Sequence, residues 1–187
     1  MLIYASTRAG NTANRGNMHN EAYEFIAKCV ADVDFYGKRV LEIGSKNVNG
    51  TIRPLFDGSF YFGIDILEGK DVDFVIDAKD FKEQAFWQNG FDFCVSAESL
   101  EHTPAPLDII DCAYSSLKSG GKFIVTAAAP NRQPHRADGN PGDPVKHGEF
   151  YRSVSAEEVI SMLQAAGFSN IEVEWVGNDI HGTAIKP

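Results

Sequence analysis

Short apolar runs alternate with helically spaced apolar positions along most of this chain. Between Met18 and Val33 the apolar residues recur every three or four positions, which predicts an amphipathic helix. Five short runs follow it. They are rich in β-branched and aromatic residues and are bounded by glycine or polar residues, so they are predicted to be strands. These runs cover residues 39–43, 60–66, 73–77, 91–96 and 122–126.

The later part of the chain adds helices and two more strands. Residues 104–118 carry apolar side chains on one face, with Thr103 expected to cap this helix and Gly120–Gly121 to end it. Another helix over 155–166 opens with Ser155 and Glu158 in the spacing of a capping box and ends at a glycine. A helix over 79–87 and strands over 171–176 and 183–185 complete the pattern.

The order of these elements predicts the fold class. Strands that alternate with helices, and that consist of continuous apolar runs, indicate a parallel sheet covered on both faces. We therefore predict an α/β fold with a doubly wound, mostly parallel seven-stranded sheet and helices on both faces. No repeat or linker divides the chain, which predicts a single domain over residues 1–187. Such sheets bind ligands at the carboxyl ends of their strands, beside the reversal of strand order.

Composition narrows the class of partner. With 17 Lys and Arg against 26 Asp and Glu, the net charge of −9 disfavours a protein that grips nucleic acid through its phosphates. Cys29, Cys94 and Cys112 are widely spaced and match no disulfide or zinc pattern. No apolar run is long enough to span a membrane or serve as a signal peptide, so a cytoplasmic protein is expected.

Acidic side chains follow the ends of successive predicted strands. Glu42 and Gly44 stand at the end of the first strand, and Asp65 ends the second. That separation is about the twenty residues at which a carboxylate meets a ribose hydroxyl pair in doubly wound folds. Asp77 ends the third strand, and the fourth ends in SAESLEH. Because a carboxylate accepts two hydrogen bonds at once, this edge of the sheet is predicted to bind a nucleoside-containing cofactor.

These segments resemble, in order, the motifs of class I methyltransferases that use S-adenosylmethionine (SAM), and most closely the small type 11 group. LEIGS, GIDI and VIDA resemble the motifs of the first three strands. FDFCVSAESLEHTPAPLD resembles the fourth-strand motif, and LKSGGKFIVTAAAP and SVSAEEVISMLQAAGF resemble the segments after it. The resemblance extends over about residues 40–168. It implies a Rossmann-like methyltransferase fold with SAM as the cofactor.

The resemblance also implies roles for residues of this chain. Asp65 would bind the ribose hydroxyls of SAM, and Asp77 would accept from the adenine amino group. Glu42 would lie near the sulfonium cation, where a carboxylate is electrostatically favourable. Two alternatives stay open: Glu42 only orients the loop backbone, or Asp77 caps the following helix. The cofactor-binding residues expected are Glu42, Ile43, Gly44, Ser45, Asn49, Asp65, Ile66, Asp77, Ala78, Ser96 and Ala97.

The turn after the first strand departs from the family pattern. Further glycines are usual two and four residues after Gly44, but Lys46 and Val48 stand there. We therefore expect residues 47–50 to form a different turn, with Lys46 directed toward solvent or substrate. A side chain at Lys46 would crowd a dinucleotide pyrophosphate, whereas SAM has no phosphate. The loop thus disfavours a nicotinamide-dependent enzyme.

The acceptor side depends on residues that follow the fourth and fifth strands. Methyl transfer from a sulfonium needs positioning above all, and a hydroxyl acceptor also needs a base. His102, His147 and Tyr151 are the catalytic residues expected, and Glu98 and Glu101 flank the loop that carries His102. In the alternative interpretation, His102 caps the next helix or hydrogen-bonds the sheet edge.

Residues 128–152 form an unusually long segment rich in Pro, Gly, Asp, Arg and His. Such segments commonly serve as lids or binding loops, so we expect this one to build the acceptor pocket; the alternative is a disordered connector. Its best contacts would be His135, His147, Tyr151 and Arg152. No metal is expected, since the spacing of His135, Asp138, Asp143 and His147 matches no metal motif.

Residues 1–17 are expected to form a mobile arm, which would bring Asn17, Met18 and His19 near the cofactor. Neither an Asn-Pro-Pro-Tyr-like tetrapeptide nor a Pro-Cys pair follows the fourth strand, which disfavours methylation of DNA bases. The predicted function is transfer of a methyl group from SAM to an O or N atom of a small molecule, sugar or other metabolite. A non-catalytic SAM-binding or scaffold protein and a nicotinamide-dependent reductase are the alternatives.

Overall fold

The sheet is the framework of the molecule. A computed structural model describes residues 20–137 and 143–187, and within them seven strands form one sheet of order β3-β2-β1-β4-β5-β7-β6. All neighbouring strands are parallel except β7, which runs antiparallel to β5 and β6. The predicted doubly wound, mostly parallel sheet is therefore confirmed. The strands are β1 (Arg39–Ile43), β2 (Phe60–Asp65), β3 (Phe74–Val75), β4 (Phe91–Ala97), β5 (Leu117–Ala128), β6 (Ser169–Val176) and β7 (Asp179–Ile185).

Helices cover both faces of this sheet because its strands bury apolar side chains on both sides. Val40 packs with α1 on one face, whereas Leu41 and Ile43 pack with α3 on the other. Burying each such side chain contributes roughly 1.5–3 kcal/mol relative to exposing it. Helix α1 (Asn20–Val30) and the 3-10 turn Arg53–Phe56 lie on the first face, and α2 (Ala78–Phe81), α3 (Pro106–Ser116) and α4 (Ala156–Ala166) on the second.

The strand order reverses between β1 and β4. From β1 the chain proceeds outward through β2 to β3, and then returns to place β4 on the other side of β1. The loops after β1 and β4 therefore diverge to opposite faces and leave a crevice at the carboxyl ends of these strands. The predicted cofactor residues follow the strands that border this crevice.

The last strand is longer than predicted. Strand β7 covers Asp179–Ile185, whereas the apolar pattern marked only residues 183–185. Asp179 and His181 make the start of β7 resemble a polar loop in sequence, yet both side chains are buried. Asp179 forms an ion pair with Arg132, and the His181 ring stacks on Phe25 with 4.4 Å between centroids.

The third strand is shorter than predicted, because both of its acidic ends take other partners. It contains only Phe74–Val75 instead of residues 73–77. The carboxylate of Asp73 accepts a hydrogen bond from the backbone N–H of Gly63 at 2.7 Å, and Asp77 caps α2. Helix α2 is also shorter than predicted. It covers the four residues Ala78–Phe81 instead of residues 79–87.

The helix predicted over 104–118 begins and ends within those limits. Thr103 does not cap it: the Thr103 hydroxyl accepts from the N–H of Ala105, before the helix begins. The chain enters β5 directly at Leu117, which is buried and pairs with Phe91. Gly120–Gly121 consequently lie within β5 and do not end the helix.

The predicted signals at both ends of α4 are confirmed. In α4 the Ser155 hydroxyl accepts from the N–H of Glu158, and Gly167 ends the helix with φ +97°, as predicted. Helix α1 ends at Val30, three residues before the predicted limit.

The expected arm of residues 1–17, with Asn17, Met18 and His19, lies outside the described residues. In the part of the chain that the structure covers, no helix has the length and apolar character needed to cross a bilayer.

Candidate active site

A cavity of about 470 Å³ opens at the carboxyl edge of the sheet, over the ends of β1, β2 and β4. This volume lies in the range of roughly 300–1,000 Å³ that is usual for small-molecule sites. The loop after β1 forms one wall, and residues 132–137 of the segment after β5 form another. Predicted cofactor residues that line it are Glu42, Ile43, Gly44, Ser45, Asn49, Asp65, Ile66, Asp77, Ala78 and Ala97.

Gly44 lets the loop after β1 pass close to its neighbours. Its φ of +84° is a left-handed conformation that glycine adopts without steric cost. A Cβ atom at Gly44 would also fall 2.1 Å from the Ser99 hydroxyl oxygen. The N–H groups of Gly44 and Ser45 both donate to the carbonyl of Ile64, at 2.9 and 3.0 Å. The loop is thus fixed against the ends of β2 and β4.

Asn47 and Gly50, both expected to help form the turn, shape the rest of this loop. The Asn47 side chain accepts from the N–H of Gly50 at 3.0 Å and donates to the Asp71 carboxylate at 2.6 Å. Gly50 has φ +130°, a conformation that glycine adopts readily. The Lys46 side chain lies against Gly69 and lines the cavity.

Backbone donors hold the Asp65 carboxylate at the end of β2. One of its oxygens accepts from the N–H of Lys46 at 3.1 Å, and the other accepts from the N–H of Leu67 at 2.9 Å. Each carboxylate oxygen has a second acceptor position. Asp65 therefore lines the cavity in a fixed orientation and with capacity for further hydrogen bonds from a diol.

Asp77 has the capping role that was left open as an alternative. Its carboxylate accepts from the N–H of Lys79 at 3.0 Å, which caps α2, and the Lys79 ammonium lies 3.3 Å away. Asp77 and the following Ala78 also line the cavity. Capping fixes the carboxylate at the cavity edge, so the two proposed roles are compatible.

Glu42 is buried at the end of β1. The Tyr61 hydroxyl donates to its carboxylate at 2.8 Å. Burial raises the pKa of Glu42 to about 8, and the hydrogen bond from Tyr61 and the charge of Arg53 offset only part of this rise. In the free protein at neutral pH, this side chain is therefore mostly protonated.

Imidazole and phenol rings gather at the other side of the cavity, where β4 and β5 end. His102 and His135 both line the cavity, with ring centroids 5.1 Å apart. Burial, with smaller contributions from His135 and Arg132, lowers the pKa of His102 to about 4, so its imidazole is neutral at pH 7. The N-cap residue of α3 is Ala105, and no side-chain hydrogen bond caps this helix, so the alternative in which His102 caps it is wrong.

Arg132 is a functional-site residue that the sequence analysis missed. Its guanidinium is buried, lines the cavity and pairs with the carboxylates of Glu98 and Asp179, the latter at 2.7 Å. These contacts join the end of β4, the segment after β5 and the start of β7. An arginine four residues after the end of a buried strand, at the ligand edge of the sheet, is the signal that could have indicated it.

Glu101 is fully buried beside this ion pair. Burial, and secondarily the charge of Glu98, raise the pKa of Glu101 well above its usual range. The backbone amides of Glu101 and Ala128 face the carboxylate and offset part of this rise. Among residues 20–137 and 143–187, however, neither carboxylate oxygen completes a hydrogen bond of normal geometry.

Other predicted site residues lie away from the cavity. Ser96, which was predicted to contact the cofactor, is buried within β4 and does not line the cavity. His147 is exposed and lies outside the lining, although it was expected to be catalytic. Arg152 is also exposed, and it binds Glu158 at 2.7 Å.

Tyr151 lies behind the cavity wall and does not line it. Its ring packs edge-on against His102 and His135, at centroid distances of 5.4 and 5.1 Å. Burial, followed by the charge of Glu101, raises the pKa of Tyr151 to about 12, so its hydroxyl keeps its proton. This position suits support of the two imidazoles better than direct catalysis.

Comparison with known proteins assigns this chain to a family. A family model for the methyltransferase domain matches residues 15–173. Comparison with curated proteins finds no match. The family match favours a methyltransferase over the nicotinamide-dependent reductase that the sequence left open.

Solved structures of the same fold include several SAM-dependent methyltransferases. The 1,6-didemethyltoxoflavin-N1-methyltransferase of Burkholderia thailandensis, solved with 1,6-didemethyltoxoflavin and S-adenosylhomocysteine, is 16% identical with a TM-score of 0.64; the match covers 89% of this chain and 77% of that one. The phosphoethanolamine N-methyltransferase 2 of Haemonchus contortus, in complex with SAM, is 16% identical with a TM-score of 0.63; the match covers 95% of this chain.

The chain spans about half of that second enzyme, since the match covers 55% of it. The [4+2]-cyclase SpnF has a TM-score of 0.64 at 18% identity, over 94% of this chain and 88% of that one. At these identities the likeness shows the fold. Because the family model matches most of the chain, the chain belongs to this family of methyltransferase domains, and its fold is that of enzymes solved with SAM or its product.

Proposed function

We propose that the protein methylates an O or N atom of a small molecule, sugar or other metabolite. One observation carries this proposal: a single cavity has carboxylates on its β1–β3 side and two imidazoles on its β4–β5 side. The first side suits the hydroxyls and amines of a nucleoside, and the second suits a polar acceptor. A cavity of about 470 Å³ also favours a small acceptor over a macromolecular one.

The cofactor side assigns a role to each strand end. Asp65, held by two backbone donors, would bind the ribose hydroxyls of SAM. Asp77 and the backbone of Ala78 would meet the edge of the adenine, and Glu42 would lie near the methionine portion. SAM supplies an electrophilic methyl group on a sulfonium cation. Contacts from the loop walls and strand ends are proposed for Ile43, Gly44, Ser45, Asn49, Ile66 and Ala97.

The acceptor side acts by positioning more than by strong basicity. An imidazole with a pKa of about 4 holds a proton poorly in water, but it accepts a hydrogen bond from an acceptor O–H or N–H. We assign this role to His102, with His135 beside it and Tyr151 packed behind both rings. His147 has no part in this arrangement, because it is exposed and away from the cavity.

The segment over 128–152 is proposed to be the substrate loop. Arg132, His135 and Arg136 of this segment line the cavity. Its far end is anchored, since the N–H of Arg152 donates to the carbonyl of Glu101 at 2.8 Å. The proposal treats the chain as one SAM-binding domain and the protein as cytoplasmic; the free thiols of Cys29, Cys94 and Cys112 fit a reducing compartment.

Transfer of a labelled methyl group tests this function. The purified protein would be incubated with methyl-labelled SAM and a cell extract divided into small-molecule and macromolecular fractions. We expect label on O or N of a compound in the small-molecule fraction, and tenfold or greater loss with Asp65→Ala. Label only in protein or nucleic acid, or no transfer by a protein that binds SAM, would contradict the proposal.

A further inference from the structure

Three metal-ligating side chains converge at the β4–β5 side of the cavity. The possible ligand atoms of Glu101, His102 and His135 all lie within 4.8 Å of one another, the one such group of three among residues 20–137 and 143–187. Glu101 and His102 belong to the 3-10 turn after β4, and His135 to the segment after β5. A carboxylate with two imidazoles is a ligand set typical of divalent transition metals.

Glu101 provides a second, independent indication of a ligand. Its carboxyl group is completely buried and, within the described ranges, neither oxygen makes a hydrogen bond of normal geometry, although the backbone amides of Glu101 and Ala128 face it. Burying a carboxyl group without partners is costly, and native proteins rarely leave such a group unsatisfied. A cation placed between Glu101 and the two imidazoles would satisfy it.

The charges around Glu101 are compatible with a bound cation. Arg132 is the guanidinium beside the cluster, and it already pairs with Glu98 and Asp179. Within the described ranges, no ion pair joins Arg132 to Glu101. When Glu101 is ionised, a divalent cation between it and the two imidazoles neutralises its charge.

We propose that Glu101, His102 and His135 bind a divalent transition-metal cation in the wall of the cavity. Metal–ligand bonds of about 2.0–2.2 Å place neighbouring ligand atoms roughly 3–3.5 Å apart, so the three side chains close by no more than about 1–2 Å. His135 lies on an irregular segment that can make this adjustment. The site is distinct from the His135, Asp138, Asp143 and His147 combination, of which Asp138 lies outside the described residues.

The location of the cation indicates the class of acceptor. His102 and His135 line the cavity while Glu101 lies behind them, so the open coordination positions face the acceptor. With the cation bound, the ligating nitrogens of His102 and His135 no longer accept hydrogen bonds from the acceptor, and the cation itself recruits an oxygen ligand. This narrows the acceptor to a hydroxyl- or carboxylate-bearing small molecule. This second step rests on the proposed function, whereas the cation site does not.

Metal titration tests the site directly. Protein treated with EDTA and dialysed would be titrated with CoCl₂, followed by visible absorption, and with MnCl₂ by calorimetry. We expect one ion per chain, with MgCl₂ at least tenfold weaker because Mg²⁺ prefers all-oxygen octahedral sites. Glu101→Gln and His135→Ala should each weaken Co²⁺ binding at least tenfold. His147→Ala, an exposed histidine of the same segment, should bind Co²⁺ as wild type does.

Thermal unfolding distinguishes lost ligation from lost folding. MnCl₂ should raise the Tm of the wild type and of His147→Ala but not that of Glu101→Gln, because only a bound ligand stabilises the folded state. If Glu101→Gln does not fold, His135→Ala decides the matter. Failure of Co²⁺ and Mn²⁺ to bind a protein that binds SAM would overturn the cation site alone. Failure of SAM to bind would overturn the proposed function, while Co²⁺ binding that depends on Glu101 would still support the cation site.

Discussion

At the scale of single residues, Glu42 shows how burial sets the charge state of the cofactor cavity. It lies at the end of a buried strand, with one phenolic donor, and its pKa is raised to about 8. A carboxyl group that is neutral in the free protein avoids placing an uncompensated charge in the core. A cationic ligand in the cavity would favour its ionised form.

The stability of the free protein should therefore depend on pH through Glu42. Because the folded-state pKa exceeds the ordinary value of 4.5, folding favours the protonated group. Its stabilising contribution is complete below pH 4.5 and is lost as the pH rises through 8. The free energy of unfolding of Glu42→Gln should thus increase relative to that of the wild type between pH 5 and pH 9. The expected increase is on the order of a few kcal/mol, since a tenfold change in acid constant corresponds to about 1.4 kcal/mol.

Thermal melts of the two proteins across this pH range make the comparison. Glu24→Gln, on the exposed face of α1, serves as the control, and the difference between its Tm and that of the wild type should not change with pH. Parallel pH profiles for Glu42→Gln and the wild type would mean that Glu42 is ionised in the folded protein throughout.

Gly44 is the second residue on which the loop geometry depends. Gly44→Ala introduces strain at φ +84° and a Cβ atom 2.1 Å from the Ser99 hydroxyl. We expect a loss of roughly 2–4 kcal/mol, the sum of left-handed strain and overpacking. Gly120→Ala is the matched control: φ is +77°, yet no atom lies within 4 Å of the new Cβ, so the expected loss is about 1 kcal/mol. Urea unfolding measures both, and equal losses would contradict the close packing at Ser99.

Sequence patterns predicted residues at strand ends better than residues in loops. Glu42, Asp65 and Asp77 are fixed by the strands that precede them, so their order along the chain was enough to place them on one edge. Ser96 lies off the cavity because one step along a strand turns a side chain to the opposite face. His147 lies away from the cavity, and its position could not be predicted because an irregular segment has no period that indicates orientation.

At the scale of elements, Arg132 joins three parts of the molecule that are distant in sequence. Its ion pairs connect the loop after β4, the segment after β5 and the first residue of β7. Strand β7 was predicted too short for the same reason: Asp179 is polar in sequence but is neutralised within the fold. A pairing of this kind becomes visible only when the tertiary structure brings the partners together.

Removal of Arg132 should destabilise the protein strongly. Arg132→Met removes the buried ion pair with Asp179, whose carboxylate is 1% exposed, and a loss of roughly 3–5 kcal/mol is typical of a broken buried pair. Arg152→Met breaks the exposed pair with Glu158 and should cost less than about 1 kcal/mol. Denaturant unfolding of both variants tests this difference. Similar losses would show that the buried pair contributes no more to stability than the exposed pair does.

At the scale of the whole molecule, the fold defines where ligands bind but leaves the acceptor open. The reversal of strand order between β1 and β4 creates the crevice, and its walls come from loops that the sheet does not constrain. The same fold occurs in two N-methyltransferases and in a [4+2]-cyclase. The acceptor must therefore be inferred from side chains such as His102 and His135, and not from the sheet.

The cofactor half of the cavity should depend on Asp65. Asp65→Ala removes the carboxylate proposed to bind the ribose hydroxyls, so SAM affinity should fall at least tenfold, or about 1.4 kcal/mol. Asp57→Ala, an exposed carboxylate before the opposite end of β2, should leave the affinity unchanged. Unchanged affinity in Asp65→Ala would show that the cofactor lies elsewhere.

Calorimetric titration of the wild-type protein with SAM and with S-adenosylhomocysteine tests the central claim most directly. We predict one site per chain for each compound, competition between the two, and no detectable binding of NADH under the same conditions. Absence of binding for both adenosyl compounds, or preferential binding of NADH, would contradict the assignment of this cavity to SAM.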